Sequence, residues 1–245
     1  VFKTIIPEYD KLEIRGETNG KIEDRHYGRY GNFYTALLFD TILEHTNDIE
    51  HDGYYIKDLD LIRQTGKHIG DHCKRIGVHF NFAPVVDINT NPKNPIIGVR
   101  SFGEQKEVVA SHSLAFMEGM QSSGVMANAK HFPGHGDVSV DSHLDIPIIN
   151  KTKEQLDSME LVPFKALINA GIESIMVAHL SVPSIDATKN LATSLSPKAV
   201  NGLLKNELGF KGISVTDALE MKAISNYFPQ GEANVQAIIA GNDML

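Results

Sequence analysis

Short apolar runs alternate with helical patterns through residues 57–245, and that alternation limits the fold more than any other feature. Runs at 78–83, 124–129, 174–178 and 212–215 read as strands, and 243–245 reads as the start of another. Leu59, Ile62, Ile69, Cys73 and Ile76 share one helical face, with Gly66 a weak point and Gly77 the end. Residues 104–122 form a second helical pattern. Thr152 with Gln155 is a capping box that opens a third helix, through Leu156, Met159, Phe164 and Leu167 to near Gly171. Ser196-Pro197 opens another, and 232–240 is helical as well. Strands separated by helices run parallel. The expected class is therefore α/β, a TIM-barrel-like (β/α)8 fold. Such a barrel has eight strands. Five are legible here, so the barrel is expected to be incomplete or truncated at both ends.

The length of 245 residues fits one such barrel, so 1–245 is expected to be a single domain. Residues 1–53 are an atypical segment within it, because 17–31 is polar, holds Gly20, Gly28 and Gly31, and reads as loop. A hydrophobic share of 42% and a charged share of 22% belong to an ordinary globular chain. The net charge of -8, with no basic run, argues against a nucleic-acid partner. No apolar run approaches the roughly 18 residues of a membrane span. Cys73 is the single cysteine, which excludes an intramolecular disulfide and leaves the compartment open. Oligomeric state is not legible.

The densest chemistry lies at residues 130–143, which read KHFPGHGDVSVDSH. Three histidines, two aspartates and a lysine are interleaved with Pro133, Gly134 and Gly136. A core element is not built this way, since buried unpaired polar groups are costly. The cluster sits where the apolar run 124–129 ends, and barrel enzymes keep their chemistry at the C-terminal ends of strands. Asp217 ends the run 212–215 in the same manner; by spacing it is either a nucleophile or the N-cap of a helix at 218–227. Asp87 could be an N-cap, a loop brace or a ligand contact. His135 and Asp137 read as groups that hold the loop by bonding its backbone.

KHFPGHGD followed by DSH resembles the signature of the bacterial β-N-acetylglucosaminidases of glycoside hydrolase family 3. Supporting motifs are Asn81-Phe82-Ala83-Pro84-Val85-Val86-Asp87, Arg100-Ser101-Phe102-Gly103, Val177-Ala178-His179 and Thr216-Asp217-Ala218. The resemblance covers roughly 57–245. It implies removal of terminal β-linked N-acetylglucosamine with retention, in the bacterial cytoplasm or periplasm, with a role in peptidoglycan turnover as one possibility. It makes Asp217 the nucleophile, and His143, oriented by Asp141, the acid/base group; the Gly and Ser content around His143 further predicts a loop that moves. It makes Arg100, Lys130, His131 and His179 substrate-binding residues, and it implies no cofactor and no metal. The partner is a carbohydrate, an N-acetylglucosaminide. The resemblance also implies a sugar-binding Asp on an early strand, but Asp24, Asp40 and Asp52 lack the right surroundings. Residues 1–53 are accordingly not expected to reproduce the first two barrel strands.

Other readings remain open at this point. His131, His135, Asp137, Asp141 and His143 could bind a metal, though Pro133 and Gly134 between the first two disfavour a ligand-bearing helix. A catalytically impaired, carbohydrate-binding barrel is a second reading. A third is a phosphorolytic variant, since a histidine acid/base does not repel phosphate as a carboxylate would.

Overall fold

A computed structural model describes residues 58–138 and 145–245. The expectations for 1–53, and the positions of Asp141 and His143, lie outside the described residues. Four strands form one sheet in sequence order: β1 (Phe80–Asn81), β2 (Met126–Phe132), β3 (Ser174–Val177) and β4 (Ile213–Thr216). Every neighbouring pair is parallel. The expected fifth strand is a single parallel bridge, Val215 to Met244. The fold is α/β, with a curled parallel sheet that makes half a barrel. Burial explains the strand composition: all of β3 is buried, as in a sheet covered on both faces.

Helix α1 (Leu59–Arg75) begins at Asp58, whose side chain accepts from Asp60 N and Leu61 N. It lies against α2 (Lys106–Ser122). Gly66, the weak point of the helical pattern, is where the two meet. A Cβ there would lie 2.1 Å from Phe116 O, and one on Gly119 1.9 Å from Arg63 O. The cost of glycine in a helix is offset by backbone-to-backbone approach.

The capping box at Thr152 is present, with both its hydrogen bonds. The single helix expected after it is not. The chain forms α3 (Lys153–Ser158) and α4 (Leu161–Asn169), with Met159 in a non-helical conformation between them. Pro163 is the cause: it has no N–H to give Met159 O, and its ring would collide with that carbonyl in a continuous helix. The helix expected from Ser196-Pro197 is α5 (Lys198–Glu207), wound as a π-helix with Pro197 rather than Ser196 as its N-cap; Ser196 Oγ accepts from Ala199 N at 3.3 Å. The helix expected at 218–227 is also corrected. Residues after β4 turn first, and α6 (Lys222–Ser225) starts from Met221, so Asp217 caps no helix. The last element is α7 (Gln230–Ala240). Among the described residues no helix is long and apolar enough to cross a membrane.

Candidate active site

Parallel register gathers the chemistry at one edge of the sheet. Phe132 pairs with Val177, and Val177 with Thr216, so the C-terminal ends of β2, β3 and β4 are level. Lys130 and His131 lie near the end of β2, His179 follows β3, and Asp217 follows β4 with its N–H on Val177 O. Arg100 enters from the turn before α2. Arg100, Lys130, His131 and Asp217 line one pocket of about 580 Å³, with Leu219 and Met221 among its apolar lining.

His179 lies apart from that lining. It is 1% exposed, with Nδ1 on Ser194 Oγ at 2.8 Å and Nε2 donating to Ala218 O at 3.0 Å. Burial disfavours its cation. Its bonds make it a support for the backbone beside Asp217.

Asp217 holds its charge against burial. Desolvation alone would raise its pKa, but His131, His179, the Ala218 N–H and Lys130 together bring it below the usual carboxylate value. Its Oδ1 accepts from Ala218 N at 2.8 Å. Lys130 is pushed down to about 8, by burial first and then by Arg100, with Asp217 and Asp87 opposing. The pocket thus pairs an ionised carboxylate with cations able to donate to hydroxyls.

Asp87 proves to be a brace. It is fully buried and caps no helix, since the following turn starts from Ile97 and α2 from Gln105. Its carboxylate accepts from His131 N at 3.2 Å, His131 Nδ1 at 2.7 Å and His135 N at 2.7 Å. Its pKa falls despite burial, because His131 and these bonds favour the anion. The signal was present in sequence: an aspartate between Val86 and Ile88 has to be paired.

His135 and Asp137 were expected to hold the loop by bonding its backbone. His135 fixes the loop through its main chain, with N on Asp87 and O accepting from Asn94 Nδ2 at 2.8 Å. Its ring stands edge-on to His131, centroids 5.7 Å apart, and neither ring nitrogen has a partner among the described residues. Asp137 pairs with Lys151 at 2.7 Å, and Lys151 also bonds the buried Glu160, while the loop backbone at 139–144 that Asp137 was expected to hold lies outside the described residues. Gly136 lies so close to Ile88 that a Cβ would meet Ile88 O at 1.7 Å. Among the described residues no group of three His, Cys, Asp or Glu is arranged to hold a metal.

Burial first, and then the neighbouring His131, push the His135 pKa down to about 4. The unfolded chain binds this proton below about 6.5, the folded chain only below about 4, so stability rises with pH in that window and falls on acidification. Between pH 6.5 and 5 this group alone should remove about 2 kcal/mol. Denaturant unfolding at the two pH values measures it, and His135→Phe should flatten the difference.

Residues 46–245 match the model described as the glycosyl hydrolase family 3 N terminal domain. The chain belongs to glycosyl hydrolase family 3. Beta-hexosaminidase A of Pseudoalteromonas piscicida is 38% identical over 186 residues, covering 72% of this chain and 31% of that protein. A solved family 3 β-N-acetylglucosaminidase from Paenibacillus sp. str. FPU-7 is 44% identical with a TM-score of 0.75, covering 76% of this chain and 35% of that one. Beta-glucoside phosphorylase BglX is 30% identical with a TM-score of 0.74, covering 77% of this chain and 35% of that one. The chain therefore spans about a third of the length of each of these relatives.

Proposed function

We propose that the protein removes terminal β-linked N-acetylglucosamine by double displacement with net retention, on a family 3 barrel of which the described sheet is one half. The observation that carries this reading is Asp217: a carboxylate kept ionised in a pocket, at a strand end, capping no helix. In this reading Asp217 attacks the anomeric carbon and forms the glycosyl-enzyme. Arg100, Lys130 and His131 hold the sugar hydroxyls. His143, oriented by Asp141, protonates the departing oxygen and then takes a proton from water. The chain is one domain, and residues 1–53 are a variant segment of it.

The test is release of nitrophenol from p-nitrophenyl β-N-acetylglucosaminide, with the glucoside as control and the product anomer read by NMR. An α product, or turnover of the glucoside alone, would sink the reading. Binding without turnover would favour the impaired, carbohydrate-binding barrel. The likeness to a phosphorylase supports a second reading, transfer to phosphate in place of water. Sugar 1-phosphate formed when phosphate is added identifies it.

The Lys130 value carries a pH prediction. Above about 8 the amine is neutral and donates less strongly to a hydroxyl. A plot of kcat/KM against pH should therefore fall on an alkaline limb near 8 that Lys130→Arg moves upward.

A further inference from the structure

We propose that Asp87 is a positioning residue that fixes the tautomer of His131, so that Nε2 meets the substrate as a hydrogen-bond acceptor. This rests on the sugar-binding role given to His131 above. The geometry begins with Asp87, a fully buried carboxylate that takes the Nδ1 of His131 at 2.7 Å and the same residue's main-chain N–H at 3.2 Å. An ionised carboxylate only accepts, so Nδ1 carries the proton. Ring and backbone are thereby held by one group, which sets both the tautomer and the side-chain orientation. A third bond, from His135 N at 2.7 Å, ties the same carboxylate to the loop that follows β2.

The edge-on His135 ring adds packing against His131. His131 lines the pocket while Nδ1 is engaged, so Nε2 is the ring nitrogen available to a ligand. A bare Nε2 accepts a hydroxyl proton, which neither Lys130 nor Arg100 can do. A sugar hydroxyl that accepts from one of those cations and donates to His131 has both of its roles filled, and an analogue without it leaves a buried acceptor unpaired.

Nitrogen-detected NMR of the histidine rings reads the tautomer without any turnover. His131 should show a protonated Nδ1 and a bare Nε2, and N-acetylglucosamine should move Nε2 far more than Nδ1. Asp87→Asn, whose amide can donate, should shift the proton to Nε2 and lower kcat/KM by about 10-fold to 10²-fold, mainly through KM. Should that variant not fold, the wild-type spectrum still decides. A protonated Nε2 in the free wild-type protein, or an unchanged tautomer in folded Asp87→Asn, would overturn the proposal. Loss of the N-acetylglucosaminidase reading would instead show as a wild-type tautomer as stated with no response to the sugar.

Discussion

Asp217→Ala is expected to lower kcat on the order of 10⁴-fold or more on every glycoside the full-length protein turns over. The size follows from the role, because the covalent step has no second carboxylate to fall back on among the described lining except Glu220, which lies beyond the strand end. Asp217→Asn should lose nearly as much while keeping the volume, since an amide is a poor nucleophile and carries no charge to answer Lys130. Azide should restore turnover to Asp217→Ala and give a product of inverted configuration, because the small anion fills the vacated space and attacks from the same face. A loss confined to KM, with kcat intact, would remove Asp217 from the reacting atom.

His143→Ala should show a leaving-group signature. Losing proton transfer costs about 10² to 10⁴-fold when the departing oxygen needs its proton. Nitrophenolate leaves without one, so the nitrophenyl substrate should lose far less than a disaccharide. Asp141→Asn should fall between wild type and His143→Ala on the disaccharide, since the ring remains but is less well oriented. The comparison of the two leaving groups on His143→Ala is the measurement. An equal loss on both would take the acid role from His143.

The parallel sheet and the shared edge were legible because each apolar run ends on a polar residue, and parallel register makes those ends neighbours. Lys130 and Asp217 could be placed together on that basis alone. The helix break at Met159 was not legible from periodicity, because the apolar spacing runs straight across it; Pro163 held the information, as a missing donor four residues on. The helix after Asp217 failed for another reason. That helix was offered because an aspartate after a strand is a common N-cap, whereas the residues that follow turn and place Leu219 and Met221 in the pocket lining. Asp137 and Asp87 were both readable as loop braces, but a sequence does not say which partner lies nearer, an ammonium at Lys151 or the backbone N–H groups of His131 and His135. His179 matched a motif by position, and its ring partners, Ser194 Oγ and Ala218 O, lie 15 and 39 residues further along the chain.

The level register of β2, β3 and β4 divides the labour of the pocket by strand. Groups suited to grip a ligand, Arg100, Lys130 and His131 with its brace Asp87, all come from the stretch ending at β2. The carboxylate suited to bond chemistry comes from β4, and β3 between them offers the lining a methionine, Met176. In the proposed reading the groups that grip the sugar and the nucleophile are thus inherited on separate lengths of chain. Sugar preference could drift through changes before Phe132 while the reactive group stayed untouched, and a scaffold of this kind can change diet without relearning how to cut.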